Sequence, residues 1–496
     1  MKGNHKQIRK VIILLFWLGV WQAAALLADN PILLAGPFQV LRAFVDNLMR
    51  PDFIFIVLHS LAGIGLGFFL ALFAGMLLGA AGYRMTWAEE LLAPMMAVFK
   101  SVPVASFVVL LLIWFGSGRL SFWISFLIVL PNVYVNTLAG LKSTDSRLLE
   151  MARVFGMGRG KKFFYIYRPA LMPCIGSCLK ISLGMSWKSG VAAEIIGLSE
   201  ASLGERLYMS KIYLDTAGLF AWTVTIVLVS FLFEKAVLGV FRLFAGWHPY
   251  PVFGWRECYQ GNLFSDVDKK SRWKEAGIQQ QERIHTQNSI QMLHIEKSYN
   301  GQSVIRDFNL KMERGGRYLL MAPSGAGKTT LLKILTGLEQ ADRGEIAGMA
   351  GRIGMVFQED RLCEEYDAVC NILLGMEKSR NLLMKSCGSD SMTGKQFQRQ
   401  LIEYVRAQAV RILPEDCLTK PVGNLSGGMR RRVSLLRAVL SGADILIMDE
   451  PFTGLDEENR ARSAAYLMEQ LQGRTLLATT HREEDVDLLR GKKIYC

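Results

Sequence analysis

The 496-residue sequence predicts a multidomain chain in which an all-α bundle of six transmembrane helices is followed by an α/β domain carrying a helical subdomain. Three observations predict this. Hydrophobic residues make up 51% of the chain against 20% charged, and the long uncharged runs fall before about Trp255. The basic excess also belongs to that half, with 22 Lys/Arg against 12 Asp/Glu in 1–255 and 35 against 32 in 256–496. Finally, 317–335 reads as a strand, a glycine-rich loop and a helix. Disordered and coiled-coil chains are excluded, since both carry more charge and less apolar content. A basic excess in an apolar region predicts membrane topology rather than nucleic acid. The eight cysteines lack C-x-x-C spacing and read as scattered reduced thiols.

A transmembrane helix needs about 20 mostly apolar residues. Such runs cover 11–29, 53–82, 92–116, 120–141, 171–198 and 217–241. The first follows Lys2, Lys6, Arg9 and Lys10 as a secretory signal would. It exceeds the usual signal core of about 7–15 residues and further spans follow, so an uncleaved helix is expected. With the N-terminus inside, inside connections carry 12 Lys/Arg, seven of them in 142–170, and outside connections carry five. The positive-inside rule then predicts a multi-pass protein of the cytoplasmic membrane with both termini in the cytoplasm.

Gly63, Gly67, Gly75 and Gly79 are spaced in fours or multiples of four on the second run, a spacing that lets helix backbones approach closely. Lys188 and Glu194 lie inside the fifth run and Lys100 in the third, beside Pro103. Charges at membrane depth are costly and mark either a translocation pathway or pairing between helices. Lys188 and Glu194 stand about 120° apart on a helix, so direct pairing is not expected. Asn132 and Asn136 form a small polar stripe after Pro131.

Residues 256–288 turn polar, with neither a long apolar run nor a clear strand pattern, and are expected to be a cytoplasmic linker of mixed helix and coil between domains at 1–255 and 289–496. In the second domain the strand 317–321 runs into Ala322-Pro323-Ser324-Gly325-Ala326-Gly327-Lys328-Thr329-Thr330. This is a phosphate-binding loop. Gly325 and Gly327 let backbone N–H groups cradle phosphate oxygens at a helix N-terminus, Lys328 reaches the β- and γ-phosphates, and Thr329 offers its hydroxyl to Mg²⁺. Ala322 stands where the pattern has glycine; if a positive φ is needed there, the Cβ costs roughly 1–2 kcal/mol and weaker nucleotide binding is expected. Four apolar residues then deliver Asp449, suited to Mg²⁺, and Glu450, suited to polarising an attacking water.

Between these lies Leu425-Ser426-Gly427-Gly428-Met429, which resembles the signature of the ABC ATPases. The connection 142–170, with Glu150-Met151-Ala152-Arg153-Val154-Phe155-Gly156 and Ile166-Tyr167-Arg168-Pro169, resembles the E-A-A loop of permeases in binding-protein-dependent ABC importers, departing at Met151 and Arg168. Residues 186–194 look like the nitrate/sulfonate/taurine branch. The resemblance implies ATP and Mg²⁺ as cofactors, Tyr299 stacking on adenine, Gln358 reaching Mg²⁺ and the permease, Asp456 in a dimer-contact loop, and His481 sensing the γ-phosphate. It implies that Ser426, Gly427 and Gly428 close over a nucleotide held by a second subunit, hence a homodimer. Glu150, Ala152 and Gly156 belong to the implied coupling loop, with Ala152 and Gly156 as a small-residue packing face. The expected activity is ATP-driven import of a small, anionic solute delivered by an extracytoplasmic binding protein. Export, or a signalling role without transport, is the alternative.

Overall fold

A computed structural model describes residues 2–28, 30, 32–246, 289–323, 325–376 and 394–495. The expected linker 256–288 lies outside the described residues. Two compact units partition the chain, and the second takes residues 145–169 out of the helical half and joins them to everything after 247.

The first unit contains α1 (Lys2–Ala28), α2 (Pro37–Leu48), α3 (Phe53–Arg84), α4 (Thr86–Ser101), α5 (Val104–Phe115), α6 (Leu120–Lys142), α9 (Arg168–Gly197), α10 (Leu203–Ile212) and α11 (Thr216–Ala245), with α9 entered from the second unit. By length and composition three helical stretches among the described residues can cross a membrane (α3, α11, and α6 with the short turn before it) and a fourth if α4 and α5 count as one bent span. The expectation of six is thus met only in part. The run 92–116 is not one helix but two, bent by 104°. Val102 is extended just before Pro103. The proline ring disfavours helical backbone at the preceding residue and supplies no N–H. The apolar part of α1 is short, and α9 carries Lys180, Lys188 and Glu194.

The glycine spacing on α3 is explained by α6. A Cβ on Gly63 would stand 2.7 Å from Ser121 Oγ, on Gly67 2.2 Å from the Phe122 carbonyl oxygen, on Gly75 2.7 Å from Val133 Cβ, and on Gly79 2.7 Å from Thr137 Cβ. Only hydrogen fits at each crossing point. Asn132 and Asn136 turn back on their own helix, donating to the carbonyls of Ile128 (3.4 Å) and Asn132 (2.8 Å) respectively. Short amide side chains in a helix commonly satisfy themselves this way.

Among the described residues the second unit holds two sheets: an antiparallel β2-β1-β4, from β1 (Ser289–Tyr299), β2 (Gln302–Glu313) and β4 (Arg343–Ala347), and a parallel β5-β6-β7-β3-β8. In the latter, β3 (Arg317–Met321), β5 (Ile353–Val356), β6 (Ile445–Asp449), β7 (Thr475–Thr480) and β8 (Lys492–Tyr495) are in parallel register. Continuous apolar runs suit strands buried on both faces. Pairing of Met321 with Thr480 and of Asp449 with Thr479 brings three strand ends to one edge. The helices are α12 (Lys328–Leu335), α13 (Ala368–Gly375), α14 (Gly394–Ala409), α15 (Gly427–Val439), α16 (Glu457–Leu471) and α17 (Glu483–Leu489). The 145–169 segment adds α7 (Ser146–Val154), capped by Asp145 accepting from Arg147 N, and the single turn α8 (Arg159–Lys162).

Candidate functional site

The site lies where β3, β6 and β7 end, the position at which parallel sheets bind ligands. Gly325 and Gly327 adopt φ of +84° and +82°, and Gly327 caps α12. The loop thereby turns its amides toward the helix start, as glycine alone does without strain. Lys328 is buried, its Nζ donating to the carbonyls of Ala322 (2.7 Å) and Pro323 (3.0 Å). Ala322 is not among the residues with positive φ, so the expected strain at its Cβ is absent and the premise for weakened binding falls away. Ser324 lies outside the described residues; Ala326 and Thr330 occupy the expected loop and helix positions.

Across from the loop, Thr329 Oγ1 donates to Asp449 Oδ2 at 2.7 Å and Thr479 Oγ1 to Asp449 Oδ1 at 2.6 Å. Thr479 Oγ1 also accepts from Glu450 N at 3.0 Å. Glu450 has φ +49°, a conformation that a side chain rarely takes. Its carboxylate is held by His481 Nε2 at 2.7 Å and Thr453 Oγ1 at 3.1 Å. Direct contacts thus join Thr329 to Asp449 and Glu450 to His481, and Gln358 is exposed on the wall of a cavity of about 330 Å³ that Thr329 and Asp449 also line.

The other expected residues lie around this corner, Tyr299 with its hydroxyl in hydrogen-bond reach of Thr330 at the loop. Tyr299 ends β1, 41% exposed, with Lys297 Nζ 5.4 Å over its ring and its hydroxyl bonded to Glu339; burial is the main cause raising that hydroxyl's pKa. Ser426 caps α15 by accepting from Met429 N (3.4 Å), with Gly427 and Gly428 opening the helix. Asp456 caps α16 by accepting from Asn459 N (2.8 Å). Both are among the residue types that best satisfy a helix's first amides.

The opposite wall of the cavity is made by the 145–169 segment and its partner. Arg147 pairs with Glu359 at 2.9 Å and Glu150 with Arg361 at 2.6 Å, and Arg361 lies 4.0 Å over the Phe357 ring, next to Gln358. Tyr366 Oη donates to the Phe164 carbonyl (3.1 Å) and its ring meets Tyr165 edge-on. Met151 and Ala152 are fully buried, joined by Phe155, whose ring faces the Arg437 guanidinium at 5.3 Å. Burial lowers the Arg437 pKa to about 10, and Arg437 also donates to the carbonyls of Arg361 (2.7 Å) and Asp360 (2.9 Å). Gly156 is exposed with φ +65°, so it ends the turn rather than forming a packing face with Ala152; Met151 and Phe155 do the packing.

In the first unit, Lys188 is exposed on α9 while Glu194 is buried, accepting from Ser60 Oγ (2.9 Å) and Gly204 N (3.1 Å); the two do not meet. Sequence reasoning missed Arg361, Arg431 and Arg437. The signal available for the last two was their place on the helix opened by Ser426, yet the run Arg430-Arg431-Arg432 reads as solvated.

The sequence matches the family model described as "ABC transporter" over 305–453 and that described as "Binding-protein-dependent transport system inner membrane component" over 63–243. It is 32% identical over 213 residues to the Nod factor export ATP-binding protein I of Burkholderia orbicola, covering 40% of this chain and 65% of that relative's length. The taurine import ATP-binding protein of Pseudomonas aeruginosa is 31% identical over 202 residues, 39% of this chain and 71% of the relative. The aliphatic sulfonates import ATP-binding protein of Rhodococcus jostii is 32% identical over 210 residues, 41% and 77% respectively. The chain therefore belongs to the ABC transporter family, with a binding-protein-dependent permease component and an ATP-binding domain joined in one polypeptide.

Proposed function

We propose that this protein imports a small solute bearing a sulfonate group, an alkanesulfonate or taurine, across the cytoplasmic membrane, driven by ATP hydrolysis. The observation that carries this reading is the seating of the 145–169 segment against the Gln358 segment, within the cavity that Thr329 and Asp449 share. The taurine and sulfonate import relatives support the solute class, as do the exposed Lys180 and Lys188 on α9. The permease occupies 1–255 with six spans and both termini inside, 256–288 tethers it, and 289–496 binds ATP. Two chains related by a two-fold axis form two composite sites, and an extracytoplasmic binding protein delivers the solute.

In each site the amides of 325–330 and Lys328 hold the phosphates while Tyr299 stacks on adenine. Thr329 and Asp449, whose oxygens meet at 2.7 Å, would hold Mg²⁺ with Gln358 on the wall of the same cavity, and the ion would supply charge neutralisation to the bound phosphates. Glu450 orients and polarises the attacking water, and His481, paired with it, contacts the γ-phosphate. Ser426 and the amides of Gly427 and Gly428 close from the other chain, with Asp456 at the dimer contact. Movement of the Gln358 segment passes to Glu150, Ala152 and Gly156 through Arg361.

Proteoliposomes supplied with ATP, the binding protein and radiolabelled taurine or an alkanesulfonate should accumulate solute. ATP turnover stimulated by the binding protein without accumulation would sink the import reading. Export is the second reading, favoured by the Nod factor export relative, and predicts turnover independent of any binding protein.

A further inference from the structure

Arg431, in the second turn of α15, is 3% exposed and its guanidinium reaches acceptors in two separate segments. Its Nε donates to the Pro451 carbonyl (3.2 Å) and its Nη2 to the carbonyls of Asp449 and Glu450, the latter at 2.7 Å. Its Nη1 donates to the carbonyls of Phe357 (2.5 Å) and Gln358 (3.3 Å), with Asp360 Oδ1 at 3.3 Å. One planar fork therefore grips two separate segments, the end of β6 and the residues after β5. The β6 side is the strained one: Glu450 sits at φ +49°. Such a conformation persists only where its surroundings over-determine it. Thr479 fixes the Glu450 amide, and Arg431 fixes its carbonyl.

We propose that Arg431 is a positioning residue for ATP hydrolysis, holding the left-handed backbone at Glu450 and the Gln358 segment in one register, so that both side chains meet the nucleotide together. This rests on the reading of Glu450 as the residue that polarises water. Lysine keeps the charge but, as a point donor, cannot span both segments. The phosphate loop is untouched by Arg431, so nucleotide affinity is separable from turnover.

The test uses the full chain in lipid nanodiscs, comparing R431K and R431M with the parent for the kcat of ATP hydrolysis, the Kd of the fluorescent analogue TNP-ATP in EDTA, and Tm. Both variants should lose about tenfold or more in kcat, within the range a positioned proton-transfer group supplies, while the Kd stays within about twofold. Parental kcat in R431K would overturn the proposal. So would a parallel fall of kcat, nucleotide affinity and Tm, which marks a residue that only supports the fold. E450Q is measured alongside; parental turnover in that protein would overturn the assignment of Glu450 and the half of this proposal that depends on it, separately from the R431K result.

Discussion

Replacing Glu150 by glutamine tests how the 145–169 segment is held. Its carboxylate lies 2.6 Å from Arg361 Nη1, with side-chain exposures of 33% and 10%. An exposed pair is worth about 0–1 kcal/mol, and breaking a fully buried one costs about 3–5 kcal/mol. This pair, buried on one side only, falls between, at about 2 kcal/mol. Arg361 would keep its stacking on Phe357 but lose its charged acceptor. At about 1.36 kcal/mol per tenfold, the segment should open about 30 times more often. Hydrogen exchange of the full chain reads this directly as faster exchange of amides that are protected only while the segment is seated. Met157, 5% exposed in the seated segment, carries one to follow. R361M should cost more, because it also removes the contact with Phe357. The double variant should cost about 2 kcal/mol less than the sum of the two singles. Additivity within about 0.3 kcal/mol would refute the reasoning, since two side chains in contact cannot act independently.

Glu450→Gln should retain bound ATP and lose about a hundredfold or more in turnover, and parental turnover would remove Glu450 from the mechanism. Ala322→Gly should leave the Kd of TNP-ATP unchanged, because Ala322 is not in a left-handed conformation; tighter binding would show strain after all. A Cβ on Gly67 would stand 2.2 Å from the Phe122 carbonyl oxygen. Gly67→Ala should therefore destabilise the helical unit by about 1–3 kcal/mol in thermal unfolding. Gly184→Ala, with nothing within 4 Å of its Cβ, should not, and equal shifts in the two proteins would refute the packing account.

Much of the nucleotide site is legible in the sequence because its chemistry is local. Gly325 and Gly327 announce a turn with positive φ, and Ile445-Leu446-Ile447-Met448 announces a buried strand whose end must deliver Asp449 and Glu450. The α3 glycines were legible for the same reason, since their spacing is the packing rule itself. What was not legible depends on partners distant in sequence. Arg431 sits in the charged run 430–432 and Arg437 one turn beyond it, yet both are buried because main-chain carbonyls more than 70 residues away accept their protons. Gly156 was assigned to packing by its size when its φ was the reason for it. The break at Pro103 was hidden by an apolar run that continued across it, for hydropathy does not record whether the preceding residue can stay helical.

These arginines give α15 a meaning beyond its signature. The helix is short, roughly 20 Å by its rise of about 1.5 Å per residue, and each turn is closed by its own hydrogen bonds, so it deforms little along its axis. Ser426 caps one end, Arg431 grips Glu450 and Gln358 from the second turn, and Arg437 faces Phe155 of the 145–169 segment from the last turn. On the proposed mechanism, the end bearing Ser426 meets the nucleotide of the other chain. A shift of that end cannot be absorbed within a helix whose buried cations are tied to three separate segments. It has to appear at Phe155 and at the Glu450 backbone together. On that mechanism, the segment proposed to carry force toward the membrane and the backbone proposed to orient the attacking water contact one and the same helix. Closure of the dimer would thereby align the water and move the loop in the same step, without a separate relay between them.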